Sequence, residues 1–514
     1  HALQIHFFKR VTGAHGGGQG ANGMILKWSN TVGTHLVGET SFHLGARRIS
    51  DIPLDELAGE GVVADISADV SDYSIYTPQM IEDKVDVREG DILIVYTGYS
   101  KYSWEQPDAS EFGYLVRHPG PSLDFFDWAI SKKLKWVGVD CGSIEHPMNT
   151  PIRYFHGRDF EKAQEKLKAA TGKTWDETFP PGEYYQATHK RVPDNHMLFV
   201  ESIGGEVADL AGSRAWFVAD PMPMVETEAA WTRVMAYQAP QGASEEEFFA
   251  TMHKVERIDL SSPFSVCTPQ WLNYKPLVVE YHKRVGGQQF GMGRNGSICE
   301  ASIHLATHMD GEIHFYPPGR PIGKVPFDRW VGPGAVADIS GVVSNSSVYT
   351  PEMVENEVEV RENDILILKT GWAEYGWPSK NADEFRYMVE HPGPSPDFSD
   401  WAREKKLKWI GVDCVSADHP MQTIMRLWHP KTFEVANQKL IEKYGKDWDE
   451  MYPIDHYYQD MHLNLFPYQI VHAENLSGEI LSVPSGRYYV GAYMPKAIEV
   501  ESMWGRFVLW KLSE

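Results

Sequence analysis

The sequence repeats itself, and that constrains the fold more than any other feature. "LKWVGVDCGSIEHPMNT" at 134–150 returns as "LKWIGVDCVSADHPMQT" at 407–423, an offset of 273 residues. "HPGPS" recurs at 118 and 391, "VADIS" at 63 and 336, "YTP" at 76 and 349, and Trp231 and Arg233 pair with Trp504 and Arg506. A constant offset over some two hundred residues marks a tandem duplication, and a unit of about 230 residues is a domain rather than a solenoid repeat. Whatever fold one half adopts, the other must adopt as well. Repeat one covers 6–238 and repeat two 279–511, which gives domains at 1–238 and 279–514 with 239–278 between them. In that linker Ser244 followed by Glu247 has the form of a capping box opening an amphipathic helix, so the linker is expected to be ordered.

Within a unit, "DILIL" (364–368) and "WIGVD" (409–413) are short apolar runs bounded by Gly and Asp, as strands are. "SPDFSDWAREKKLKW" (395–409) places Ser395 as N-cap and Pro396 at N1 of a helix. Each unit is thus α/β. The 514 residues, with 17 Trp, 24 Tyr and 22 Phe, supply apolar surface enough for two large cores.

A net charge of −23 argues against nucleic acid or an anionic membrane as partner, since both call for clustered Lys and Arg. No run of eighteen apolar residues exists to cross a bilayer, and the first twenty residues lack the apolar stretch of a signal peptide. Cys141, Cys267, Cys299 and Cys414 show no CxxC spacing, which points to a reducing, cytoplasmic setting. Cys141 and Cys414 both follow a "VD" pair and read as packing residues.

Duplication also provides a comparison inside one chain. Residues 303–315, "IHLATHMDGEIHF", carry three histidines and an aspartate, whereas the sister stretch 30–42 reads "NTVGTHLVGETSF". Thr31 stands opposite His304, Val37 opposite Asp310 and Ser41 opposite His314, while His35 still matches His308. The frame survives without those side chains, so the fold does not need them. That selective loss favours a metal box in repeat two. A straight strand would hold His304 and His308 about 13 Å apart, and metal ligands lie far closer. The chain must therefore turn here; a helical turn would set i beside i+4, with Gly311 allowing a bend after it.

Further ligands are sought in "YYQDMHLNLFPYQIVHAENLSGEI" (457–480), where His462 and Glu474 match His189 and Glu201 of repeat one. Retention in both halves weakens them as chemistry. His472, opposite Phe199, is a rival two positions from Glu474. Asp418 and His419 in "SADHP" read as structural, because "SIEHP" keeps an acid and a histidine in repeat one.

The box resembles the HxGTHxDxPxH signature of the cyclase family of metal-dependent hydrolases, which includes kynurenine formamidase and isatin hydrolase. Repeat two is similar throughout: His462 with "AENL", the "WIGVD" run and "HPGPS" all fit. The resemblance implies two tandem domains of the swivelling β/β/α type, frequent oligomers, and one or two Zn2+ or Mn2+ ions per chain. By it, His304, His308 and Asp310 hold a first metal, Asp310, His462 and Glu474 a second, and His314 is the catalytic base. The substrate would be a small molecule, since family members cleave N-formyl aromatics, cyclic imides, lactams and lactones. Two departures stand out, Ala306 for the signature Gly and Glu312 for Pro, the latter expected to add a carboxylate near the site.

Repeat one has lost the shared aspartate and the base, so it is expected to be inactive and to stand in for the second subunit of a family dimer. Its glycine-rich "TGAHGGGQGANG" (12–23) is a candidate lid, and lacks the GK[ST] of a phosphate loop. Two other readings remain open. His308, Asp310 and His462 could form the two-His-one-carboxylate triad of a non-haem iron oxygenase, or both repeats could serve binding alone without a metal.

Overall fold

The computed structural model describes residues 3–10, 21–43, 45–180, 186, 189–190, 195–268, 271, 274–286, 293–453 and 459–512. Most of the candidate lid, residues 12–20, lies outside them. The chain forms two compact units: one comprises 1–28, 255–279 and 299–514, the other 29–254 and 280–298. Each unit thus contains a stretch belonging to the opposite sequence repeat.

In the repeat-one unit seven strands close a barrel, in the order Arg214–Pro221, Ala229–Tyr237, His35–Val37, Leu198–Glu201, Trp136–Val139, Ile92–Tyr96 and Ala58–Asp65. The repeat-two unit runs the same circuit through Gly486–Tyr493, Val331–Asp338, Ile365–Lys369, Trp409–Val412, Val471–Glu474, His308–Asp310 and Ser502–Trp504. Here the strand equivalent to Ala229–Tyr237 is interrupted at Gly505, giving Ser502–Trp504 and Arg506–Leu512. Val255–Asp259, from the linker, pairs antiparallel with Arg506–Leu512 and makes a sheet of nine strands.

The central strands are parallel, and Ile365–Lys369 is buried along its whole length, as expected for an apolar run covered on both faces. Helices Phe398–Glu404 and Pro430–Tyr444 lay Phe398, Ala402, Ala436 and Leu440 against Ala335, Leu366 and Ile410 of the sheet. The longer helix begins with Pro430 and stops at Gly445, whose φ of 69° ends it in the left-handed region.

Both "DILIL" and "WIGVD" form strands. The first helix starts later than expected: Asp397 is its N-cap, and Ser395 instead donates its hydroxyl to that aspartate. In the linker, Ser244 Oγ accepts from Glu247 N at 3.3 Å and opens the helix Glu245–Met252. No helix among the described residues is long and apolar enough to cross a membrane.

Candidate metal centre

The box turns as the ligand spacing required, but between His304 and His308 it does so without a helix, a short 3-10 turn following only at Glu312–His314. Ala306 takes φ 49°, in the left-handed region, and the chain then enters the strand His308–Asp310. Gly33, its counterpart, has φ 69°. The turn brings His304 Nδ1 to 3.1 Å from His308 Nε2 and 2.9 Å from Asp310 Oδ1. It also fixes the second imidazole, because His308 Nδ1 lies 3.0 Å from the Ala306 carbonyl. Donation to that carbonyl leaves Nε2 free to ligate.

Register places the remaining groups. His308 stands opposite Glu474 on one neighbouring strand and opposite Trp504 on the other, with Asp310 opposite Ser502. Side chains two apart share a face, so His308, Asp310 and Glu474 converge: His308 Nε2 is 3.3 Å from Asp310 Oδ1 and 3.8 Å from Glu474 Oε2. His462, on the helix Asp460–Leu465, points its Nε2 at Asp310 Oδ2 (3.3 Å) and Glu474 Oε1 (3.7 Å). Ala417 N donates to Glu474 at 2.8 Å and Ser502 Oγ to Asp310 at 2.9 Å.

The structure therefore unites all six residues singled out in the sequence: His304, His308, Asp310, His314, His462 and Glu474. Donor atoms of His304, His308 and Asp310 lie within 4.8 Å of one another, as do those of Asp310, His462, His472 and Glu474. His472 is fully buried and neither ring nitrogen has a well-formed hydrogen bond, so it remains beside His462 and Glu474 as a rival donor.

Two more residues join the site, one that the sequence did not single out and one, Asp418, that it read as structural. Glu501 is fully buried and joins His304 and His314 in a third cluster: its carboxylate lies 3.1 Å from His304 Nε2 and 3.3 Å from His314 Nδ1. Gly311 makes this approach possible, since a Cβ there would sit 2.5 Å from the Glu501 carbonyl oxygen. Asp418 is the other. It accepts from His462 Nδ1 at 2.5 Å and from Met461 N at 2.8 Å, fixing which nitrogen of His462 faces the cluster. The signal for both was retention at the 273 offset, as Glu228 and Glu145. Glu312, by contrast, turns away to Arg320, receiving its backbone N at 2.8 Å and Nε at 2.9 Å; the expected extra carboxylate is not at the site.

Electrostatics show what the cluster is suited to bind. Burial works against charge on His304, yet Glu501 and Asp310 outweigh it and raise its pKa to about 10. His462, pulled down by burial and up by Asp310 and Asp418, also reaches about 10. Glu474 is pushed up to about 7 by burial and the Asp310 charge. Burial disfavours charge on Glu501 as well, but the His304 charge carries it down to about 2. Carboxylates that hold protons on buried imidazoles are a demand for positive charge, and a divalent cation meets it by displacing those protons. The donor set of imidazoles and carboxylates fits such an ion. A cavity of about 50 Å3, lined by His304, Asp310, His314, His462 and Glu474, opens onto it.

The first repeat's opening segment belongs to this unit and reaches the site. Asn22 N donates to the His314 carbonyl at 2.7 Å, the Asn22 carbonyl lies 2.6 Å from His314 Nδ1, and Met24 N donates to Glu501 at 3.0 Å. The repeat-one unit mirrors the arrangement: Asn295 N donates to Ser41 O at 2.7 Å and Ser297 N to Glu228 at 3.0 Å. There Thr31, Val37 and Ser41 stand where His304, Asp310 and His314 do. His35 and His189 both pair with Glu201, at 3.2 and 3.4 Å, and His189 also meets Glu145 at 3.2 Å. Every group of donors suited to a metal, among the described residues, lies in the repeat-two unit.

The family described as "Putative cyclase" matches residues 5–146 and again 258–419. The chain belongs to the cyclase family. A curated relative, kynurenine formamidase of Bacillus cereus, is 28% identical over 167 residues, 32% of this chain and 72% of the relative. Among solved structures, isatin hydrolase A from Labrenzia aggregata aligns at 16% identity and TM-score 0.41, covering 53% of this chain and all of its own. Isatin hydrolase A from Ralstonia solanacearum aligns at 14% identity and TM-score 0.40, over 53% of this chain and 99% of its own. Two matched stretches in one cyclase-family chain agree with the duplication read from the sequence.

Proposed function

We propose that the chain is a metal-dependent hydrolase that opens a C–N amide or imide bond, or a lactone, in a small substrate at the repeat-two site. The observation that carries this reading is the convergence of His304, His308, Asp310, His462 and Glu474 donor atoms around shared Asp310. His304, His308 and Asp310 would hold one ion, and Asp310, His462 and Glu474 a second, zinc or manganese suiting the donors. A bound divalent ion polarises a carbonyl and brings the pKa of water toward ~7.

The chain's own residues do the rest. Asp418 and the Ala306 carbonyl keep Nε2 of His462 and His308 facing the cluster. His314 donates Nδ1–H to the Asn22 carbonyl, which leaves Nε2 as the acceptor; burial lowers its pKa and so favours the neutral form that takes a proton. It would take the proton from attacking water and return it to the leaving nitrogen or oxygen. The facial-triad alternative leaves His304 idle, whereas His304 lies as close to Asp310 as any member of that triad. The repeat-one unit, with its histidines committed to Glu201 and Glu145, would be catalytically inert.

The test is a screen over small amides, imides and lactones with zinc- and manganese-loaded protein, metal content being measured on the same samples. His314→Ala is expected to keep its metal and lose turnover by roughly a hundredfold or more. Full activity in that variant would overturn the assignment of the base.

A further inference from the structure

We propose that Lys9 makes this site selective for anionic substrates, its ammonium receiving a carboxylate or equivalent anion carried by an aromatic or planar molecule. The word substrate rests on the hydrolase reading; the binding preference does not.

Lys9 ends the strand Gln4–Lys9 and lines the same cavity as His304, Asp310, His314 and Glu474. Its ammonium donates to the Tyr274 hydroxyl at 3.2 Å and lies 4.5 Å from the centre of that ring. Tyr274 in turn packs 5.6 Å, centre to centre, from the His304 imidazole. One tyrosine therefore touches both the cation and a member of the candidate metal cluster. Among the described residues no carboxylate forms an ion pair with Lys9. Glu501 is the acid whose field it feels, but the oxygens of Glu501 are already engaged by Met24 N, His304, His314 and Ser502.

An ammonium has three donors, and the tyrosine accepts one. A half-buried cation with spare donors gains from an anion brought to it, because hydrogen bonds between charged partners strengthen as water is excluded. Burial pushes Lys9 down to about 8, which still leaves it charged at neutral pH. Trp271, Tyr274 and Phe315 line the same cavity, so the ligand class is a flat molecule with an acidic substituent rather than a simple aliphatic amide.

Calorimetric binding of benzoate and benzamide to the metal-loaded full chain tests this, the two probes sharing shape and differing in charge. Wild type is expected to prefer benzoate by roughly tenfold or more. Lys9→Met and Lys9→Gln should each cut that preference to about twofold or less, while Lys9→Arg retains most of it. Equal affinity for the two probes in wild type overturns the proposal. So does a preference that survives in both neutral variants, since the anion would then be received by the metal. Absence of turnover on every amide, imide and lactone would sink the hydrolase reading and leave this comparison standing.

Discussion

Ala306 holds the box in shape at some cost. Left-handed backbone strains an L residue by about 1–2 kcal/mol, and its φ of 49° sits where Gly33 occupies the sister turn. Ala306→Gly should relieve the strain, less the extra chain entropy of glycine, for a net gain of about 0.5–1 kcal/mol in denaturant unfolding. Unchanged or lower stability would show that the turn is not strained. Asp418→Asn addresses a different link. It keeps the shape but weakens the hold on His462, so metal affinity measured by chelator competition should fall roughly ten- to hundredfold while the fold persists. The contrast between repeats made His304, Asp310 and His314 legible, because the fold survives their absence in repeat one. The same contrast is blind to Glu501 and Asp418: both halves keep an acid there, and a shared residue looks structural whether or not it also serves chemistry.

At the scale of elements, the three-residue strand His308–Asp310 does what the sequence was expected to assign to a helical turn. Only a strand lets one residue face two neighbours at once, and His308 is paired with Glu474 on one side and Trp504 on the other. Strand runs and helix positions could be read from periodicity, but sheet order could not, since register depends on partners more than a hundred residues away. In the other unit His189 pairs with Glu145 and with Glu201 at the end of the strand Leu198–Glu201. His189 is pulled down by burial but raised, by Glu145 and Glu201, to about 9. A folded-state pKa above the unfolded value near ~6.5 stabilises fully below that pH and loses its effect as pH climbs through about 9. Opening free energies for the strand Leu198–Glu201, from hydrogen exchange corrected for intrinsic rates, should therefore decline between pH 7 and 9. His189→Gln should flatten that decline, and an unchanged slope would remove His189 as its cause.

For the whole molecule, the decisive fact is that the compact units are not the sequence repeats. Residues 1–28 complete the repeat-two unit and 280–298 the repeat-one unit, a crossing invisible to an offset comparison, which sees similarity and not contact. A protein of residues 279–514 alone lacks Asn22, Met24 and Lys9, and with them the anchor of His314. Its turnover is expected to drop by roughly a hundredfold or more from misplacement of the base, and co-expression with 1–278 should restore it. Wild-type rates from the isolated half would mean that Asn22 positions nothing of consequence.

The crossing also governs where the chain can change. By an inventory of ligands the first repeat is dispensable, and its barrel could be free to drift. Asn22 and Met24 lie in that repeat yet bind His314 and Glu501 of the cluster, so a substitution in the opening stretch reaches the repeat-two site as one at Thr31 or Ser41 does not. Ownership in space thus differs from order along the chain, and a change in the opening stretch of the first repeat is a change at the repeat-two cluster.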